Sequence, residues 1–586
     1  MSSLPSESTL ERLKACKGKL GLAMLLGVQL KHLTHALYGI PMPVRYAVFT
    51  IPKSSGGVRI IHAPNDRLKF VQSALAAVLQ ECLIEIETKS GVQRPVSHAF
   101  HPKRSIFSNA WVHRRKRFVV NFDLQDFFPS LHFGRVCKFF EKSSDFQLHP
   151  KVANLIANLA THPDGAGGTF LPQGSPCSPV ISNLLTRPLD LRLRKLAQRC
   201  DCRYSRYADD LTFSSNTTAF PEAIAKLDNE CWIAGDEFEK IVVQSGFFLN
   251  HAKTRMALKG TRQVVTGLVV NKQVSVNRDT YKWLRAACDS MFKKGIASRH
   301  DPRTVKVYTM ARKLELKQLI GHAEHVFHAR RKSGIELPAM SLMKGPELLL
   351  KRLIYYERFF AHDRPIVICE GDTDYVYLRI ALAKFGHQFA NLAPSKEGLP
   401  AIRFLRFTPV IGRFTGLQGG SDQLKTFLQN WDVNMAMVGD RYPSQPVILF
   451  MDNDSGANAT MQILRGKKVI SQDIKMMEFT HATKNLYVIF TPVPDVKSQS
   501  CIEDFVDPTA KSVKLDGKTF HPGGNATYQG KKWSDTLHYG KRVLAEKVVA
   551  ENVAKYDFSL FKPILDRLDK AIADYPKQVA KIVASK

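Results

Sequence analysis

Three aspartates supply the first chemistry in this 586-residue chain. Asp209 and Asp210 stand side by side in Tyr207-Ala208-Asp209-Asp210, followed by the run Leu211-Thr212-Phe213-Ser214. An aromatic residue followed by paired acids suits a tight hairpin turn that pushes two carboxylates into a cleft. Hard oxygen ligands of this kind hold Mg²⁺. Nucleotidyl transfer uses two such ions about 3.5–4 Å apart, one activating the attacking hydroxyl and one steadying the leaving pyrophosphate. Asp123 ends Phe118-Val119-Val120-Asn121-Phe122-Asp123, an apolar run read as a buried strand that delivers its carboxylate at the strand end. Pro129 forces a turn shortly afterwards. Asp126 adds a further carboxylate to which the sequence assigns no role. An Asp-Asp pair alone is an ordinary solvated turn, so the weight lies in what surrounds it.

Between these acids runs Leu171-Pro172-Gln173-Gly174-Ser175-Pro176-Cys177-Ser178-Pro179. Three prolines and a glycine fix a rigid loop whose backbone can approach a neighbour closely. A helix is predicted over 180–196, with Pro188 as a candidate kink. Basic residues flank the acids in Lys53-Ser54-Ser55-Gly56-Gly57-Val58-Arg59 and in Gly246-Phe247-Phe248-Leu249-Asn250-His251-Ala252-Lys253-Thr254.

Asp123-Leu124-Gln125-Asp126-Phe127-Phe128, Gly174-Ser175-Pro176-Cys177-Ser178-Pro179 and Tyr207-Ala208-Asp209-Asp210 resemble, in order, three palm motifs of reverse transcriptases. Residues 53–59 resemble the fingers hairpin, and 246–254 the palm segment that places a lysine near the incoming triphosphate. The resemblance implies that Asp123, Asp209 and Asp210 are catalytic and hold two Mg²⁺ ions. It implies that Lys53, Arg59 and Lys253 contact the triphosphate, and that Phe128 crowds the sugar 2′ carbon. Gln173 and Gly174 would shape the nucleotide pocket.

Two shorter signatures narrow the family. Asn109-Ala110-Trp111-Val112-His113 fits the Asn-Ala-x-x-His pattern of bacterial retron reverse transcriptases, and Val265-Thr266-Gly267 fits their Val-Thr-Gly pattern. Residues up to about 345 resemble that family, which places Asn109, His113, Val265, Thr266 and Gly267 on the cognate RNA. The implied reaction copies a structured non-coding RNA into branched single-stranded DNA, primed from a guanosine 2′-hydroxyl. Deoxynucleoside triphosphates are the substrates. Template removal falls to a host RNase H, since no RNase H-like segment is evident. A bacterial cytoplasmic setting and a role in antiphage defence follow, while homo-oligomerisation stays open. The alternatives are a group II intron-type enzyme, although no maturase or HNH segment is evident, and a non-catalytic nucleic-acid-binding protein.

The resemblance implies that the elements positioning these residues form an α+β right-hand polymerase. Fingers and palm are expected over 1–275 and a helical thumb with its connection over 276–360. His362-Asp363-Arg364-Pro365 breaks the helical pattern, and an α/β Rossmann-like domain is expected over 366–586. There, Ile366-Val367-Ile368-Cys369-Glu370-Gly371-Asp372-Thr373-Asp374 reads as strand, acidic turn and helix. Val447-Ile448-Leu449-Phe450-Met451 reads as a second buried strand ending in Asp452-Asn453-Asp454-Ser455-Gly456. Acids at the carboxyl ends of neighbouring parallel strands converge on one crevice, so Glu370, Asp452 and Asp454 could share a divalent metal. Glu-Gly followed by Asp-x-Asp-x-Gly resembles the TOPRIM domain of topoisomerases, primases and old-phage-type nucleases. The EF-hand's closing glutamate is missing at the required spacing. A topoisomerase needs further large domains to present its tyrosine, and a primase usually brings a zinc module. A nuclease or binding effector therefore fits best, with Glu503 and Lys541 nearby in sequence as further polar groups.

The chain carries 84 Lys and Arg against 53 Asp and Glu, a formal charge of +31 suited to a polyanionic partner. Basic clusters include residues 113–117 and 328–332. None of its ten cysteines forms a Cys-x-x-Cys pair, which argues against zinc and against a disulfide framework. The apolar stretch 20–28 follows Glu7 and Glu11 and lacks a small-residue cleavage site, so a buried helix is expected rather than a signal core. No run reaches the ~18–20 apolar residues of a membrane span.

Overall fold

The computed structural model of the chain describes residues 8–52, 57–91, 96–299, 312–331, 342–395, 398–466, 473–523, 530 and 532–584. It separates into two units, Met1–Arg278 with His328–Gly334, and Asp279–Phe327 with Ile335–Lys586. Among the described residues no helix is long and apolar enough to cross a membrane.

In the first unit, β1 (Tyr46–Pro52) and β2 (Val58–Pro64) form an antiparallel hairpin. The long helix α1 (Asp66–Lys89) follows, its N-terminus capped by Asn65, whose side chain accepts from Leu68 N at 2.9 Å. After α2 (Ile106–Val112) comes β3 (Phe118–Asp123), the predicted apolar strand. Helix α3 (Ser178–Arg199) runs unbroken through Pro188 and leads to β4 (Arg203–Tyr207), β5 (Asp210–Ser215) and β6 (Arg255–Leu258). These four strands make an antiparallel sheet in the order β6-β3-β5-β4. The near-continuous apolarity of β3 has a direct cause. Phe118, Val120 and Phe122 point into the main core, while Val119 packs on the opposite face with Ala110, Val265, Leu268 and Ala329.

The second hairpin, β7 (Val264–Val265) and β8 (Leu268–Val269), closes through Thr266 at φ 46 and Gly267 at φ 80. Two consecutive left-handed residues give the type I′ turn that matches strand twist. A Cβ on Gly267 would meet nothing within 4 Å, so backbone conformation and not crowding within the protein explains this glycine.

In the second unit, the expected run of helices over 276–360 is interrupted. The helix Arg278–Lys294 ends at Gly295, φ 74, and a hairpin of Ala297–Arg299 with Arg312–Leu314 precedes the helix Leu316–Arg330. The helix Pro346–Tyr355 packs within this unit, with Arg352 4.4 Å over the Phe292 ring and donating through Nε to Met437 O at 2.6 Å. Tyr355, Phe359, Phe427 and Trp431 form one aromatic cluster. Much of the segment expected as a thumb is thus built into the same unit as residues 366–586.

The sheet of this unit contains β9 (Ile366–Cys369), β10 (Arg403–Phe404), β11 (Val447–Met451), β12 (Thr480–Thr483) and β13 (Leu486–Phe490). Its order is β10-β9-β11-β13-β12, with only the β12 edge antiparallel. Every residue of β9, β11 and β13 is buried, as a parallel sheet covered on both faces requires.

Candidate active site

Strand pairing assembles the aspartates. Tyr207 pairs with Asp210 across β4 and β5, leaving Ala208 and Asp209 as a two-residue turn, and Asp123 lies opposite Asp210 on β3. Ala208 sits at φ 56, a left-handed conformation that costs an L-residue roughly 1–2 kcal/mol. A buried network holds it there. Arg206, fully buried, donates through Nη1 to Ala208 O at 3.0 Å. The same guanidinium grips Asp190 with Nε to Oδ1 at 2.9 Å and Nη2 to Oδ2 at 2.7 Å, and Tyr204 donates its hydroxyl to Asp190 at 2.8 Å. Sequence reasoning does not single out Asp190. Its one signal is an acid beside the apolar stripe Leu185, Leu189, Leu193 and Leu196 of α3.

The segment 246–254 is stitched to β3. Gln125 N donates to Phe248 O and Asn250 N to Asp123 O, both at 2.8 Å. Arg135 donates to Gly246 O and Ser245 O at 2.6 and 2.8 Å and covers the Phe247 ring at 4.0 Å. Lys253 is thereby delivered to the acids, its Nζ 2.9 Å from both oxygens of Asp123. The loop 171–179 is seamed to β2 in a similar way, with His62 N donating to Gln173 O at 2.7 Å. Gly174 sits at φ 122, and a Cβ there would lie 2.6 Å from His62 O. Only glycine permits that seam.

Asp123, Asp209, Asp210, Lys253, Arg59, Phe128 and Gln173 all line one open cleft of about 1020 Å³, alongside His62 and His162. Lys53 lies outside the described residues. Burial pushes the Asp209 carboxyl up, with Asp123 adding to it and Lys253 and Arg59 opposing. Burial, then Asp209 and Asp123, pushes Asp210 up to about 7. This surplus of crowded carboxylate oxygens is a donor set that fits a hard divalent cation. The ligand set is not closed in this conformation, however. Among the described residues no group of three or more His, Cys, Asp or Glu is arranged to hold a metal ion. Asp123 is engaged by Lys253 instead.

A pH dependence follows from Asp210. Its folded-state pKa lies above the unfolded carboxylate value, so its contribution to stability is full below pH about 4 and is lost as pH rises through about 7. Asp210→Asn should therefore stabilise the metal-free protein at pH 8 by on the order of 2 kcal/mol after solvent screening, and not at pH 4. Denaturant melts in chelator at the two pH values measure this, with Mg²⁺ expected to narrow the gap at pH 8.

The structure buries both members of the Asn-Ala-x-x-His signature, Asn109 and His113, and engages them within the fold. His113 bridges the hydroxyls of Ser214 and Ser205, at 2.8 and 2.7 Å from Nδ1 and Nε2, and Ser205 Oγ donates to Asn109 Oδ1 at 2.5 Å. Burial lowers His113 to about 3, so the ring is neutral. These residues clamp α2 to β4 and β5. Val265 is also buried, which leaves Thr266 and Gly267 as the accessible members of the second signature. Thr266 donates its hydroxyl to Ile106 O at 3.2 Å.

A second acidic cluster forms at the carboxyl ends of β9 and β11. Glu370 accepts from Asp452 N at 3.2 Å, and Asp452 accepts from Ile502 N at 2.9 Å. Asp374 accepts from Gly371 N at 2.7 Å. Lys541 Nζ lies 3.0 Å from Glu503 Oε2, while Glu503 Oε1 is buried with no partner among the described residues. Burial pushes Asp452 up to about 8, helped by Asp374, Glu503 and Glu370, and pushes Asp374 up to about 7. The orphaned Glu503 oxygen and the acid surplus fit a cation. Here too no ligand set is closed, and Asp454 accepts from Gly456 N at 2.8 Å as the cap of a short 3₁₀ turn. Asp374 receives no role from the sequence alone. Its signal is the Glu-Gly-Asp-Thr-Asp spacing, which turns it back onto the Gly371 amide.

Residues 51–286 match the family described as reverse transcriptase (RNA-dependent DNA polymerase). The chain is 35% identical to the retron Mx65 reverse transcriptase of Myxococcus xanthus, over 48% of this chain and 65% of that protein. It is 35% identical to the Mx162 reverse transcriptase of the same organism, over 45% and 56%. It is 30% identical to the retron Ec86 reverse transcriptase of Escherichia coli, over 42% of this chain and 70% of that protein. The chain thus spans less than two thirds of the two Myxococcus proteins. An apo telomerase structure from Candida tropicalis overlays with a TM-score of 0.24 at 14% identity, over 41% of this chain and 56% of that one, too loosely to bear on the fold.

Proposed function

The chain belongs to the retron reverse transcriptases, and from that premise we propose that it is an RNA-directed DNA polymerase that copies its own structured RNA into single-stranded DNA. The observation that carries this reading is the register placing Asp123 opposite Asp210 beside the Ala208-Asp209 turn, in one cleft with Lys253 and Arg59. Bound Mg²⁺, held by Asp123, Asp209 and Asp210, would supply Lewis acidity and charge for nucleotidyl transfer. Arg59 and Lys253, with Lys53 by resemblance, neutralise the triphosphate of an incoming deoxynucleotide. Phe128 on the cleft wall discriminates against a 2′-hydroxyl. Priming from a guanosine 2′-hydroxyl would leave the DNA branched from its RNA, with host RNase H trimming the template. The direct test is extension of a DNA primer on an RNA template by the purified chain with Mg²⁺ and deoxynucleotides. Failure to extend under conditions where the protein is folded overturns the reading.

For the second unit we propose a TOPRIM-like effector acting on phosphodiesters in antiphage defence. Glu370 and Asp452 at the ends of adjacent parallel strands support this, with Asp374, Glu503 and Lys541 gathered beside them. Glu370→Gln should abolish toxicity or phage protection and leave the DNA product at normal abundance at matched protein level. Undiminished protection would make this unit a binding module. Loss of the DNA product as well would couple the two activities.

A further inference from the structure

We infer that the flank of the palm carries a second nucleic-acid site, a groove that holds RNA away from the aspartates. The inference rests on the polymerase reading only in its choice of RNA as the polyanion. The groove, about 760 Å³, runs between α2, the later turns of α3 and the start of β4. Arg114, Lys116, Arg194 and Arg203 line it, and no Asp or Glu does. Among the described residues none of these four cations has a carboxylate within 4.0 Å. Burial and the neighbouring Arg203 lower the proton affinity of Lys116, only partly offset by Asp201, so positive charge is crowded here in a way that phosphates would relieve.

An aromatic platform completes the groove. The Arg114 guanidinium lies 4.4 Å over the Trp111 ring centroid, which puts a cation and an aromatic ring together at the groove, the pairing that phosphates and bases engage. The buried contacts of Asn109 and His113 acquire a purpose from this. They fix α2 against β4 and β5, and so fix the platform that Trp111 and Arg114 present. Arg203 pairs with Ser214, four residues along β4 from Tyr207, so the groove lies roughly 13 Å from the catalytic turn. RNA seated there leaves the cleft clear for template and primer.

The test uses the full chain and three probes: a labelled RNA hairpin with single-stranded arms, a DNA hairpin of the same sequence, and a primed RNA template. The combined variant Arg114→Gln, Lys116→Gln, Arg203→Gln should weaken RNA-hairpin binding about tenfold or more. The slope of log affinity against log salt should fall by roughly 2–3, at ~0.7–0.9 for each phosphate no longer neutralised. Extension of the primed template at saturating concentration should stay within about twofold. Trp111→Ala, which removes no charge, should weaken RNA-hairpin binding by about fivefold with the salt slope unchanged. Unaltered affinity and slope in the triple variant overturn the inference, as does an equal loss for the DNA hairpin. A wild-type protein that binds the RNA hairpin through these residues yet extends nothing leaves the groove standing and removes the polymerase reading.

Discussion

Replacing Asp209 and Asp210 together by asparagine lowers DNA synthesis on a primed RNA template by about 10³-fold or more, while RNA affinity stays within about twofold. Asparagine keeps the size of each side chain and removes its charge. The turn itself survives, because it is held by backbone pairing of Tyr207 with Asp210 and by Arg206 on the Ala208 carbonyl. What disappears is the crowded negative charge that fits a cation and that, after burial, helps push Asp210 up to about 7. Each tenfold of rate corresponds to about 1.4 kcal/mol, so a 10³-fold loss is about 4 kcal/mol, within the several kcal/mol that metal-assisted charge stabilisation supplies. RNA affinity is expected to rest on basic groups outside the cleft, in a chain of charge +31, and to have little stake in two cleft carboxylates. Extension within tenfold of wild type would remove these residues from the catalytic set.

Removing Asp190 alone should be among the most damaging single changes to the first unit. Asp190→Ala leaves Arg206 fully buried without its carboxylate and costs about 3–5 kcal/mol, read from denaturant unfolding. The informative comparison is the double variant Asp190→Leu with Arg206→Met, which replaces the charged pair by apolar groups. It should recover most of the stability, since buried ion pairs are often no better than well-packed apolar residues. It should not recover activity, because the Ala208 carbonyl loses its donor and the left-handed turn carrying Asp209 loses its anchor. Full activity in a stable double variant would show that the network serves folding alone.

The gathering of Asp123, Asp209 and Asp210 was legible in the chain because its signals are local. The apolar run 118–122 forms β3, and the Tyr-Ala-Asp-Asp turn falls where an aromatic residue and paired acids suit a hairpin. In the second half, two apolar runs each ending in acids become adjacent parallel strands. What escaped reading depends on partners distant in sequence. Nothing near Asn109 and His113 reveals that Ser205 and Ser214 will take their hydrogen bonds and bury them, so a surface role was expected where a clamp exists. Asp190 was invisible for the same reason, its partners Tyr204 and Arg206 arriving on β4. The pairing of Ala297–Arg299 with Arg312–Leu314 sits inside a segment whose composition reads as helical, with Gly295 and Pro302 as local signs of a break in the sequence. Assignment of much of the thumb segment to the second unit was beyond local pattern altogether, since Arg352 and Met437 meet only in the folded chain.

The most direct test of the central claim is to purify the protein from cells carrying its neighbouring locus and sequence the nucleic acid that comes with it, with the Asp209→Asn, Asp210→Asn variant in parallel. The account predicts a single-stranded DNA joined to RNA through a guanosine 2′-oxygen in the wild type, and the bare RNA in the variant. Unbranched nucleic acid of mixed sequence in both samples would contradict it.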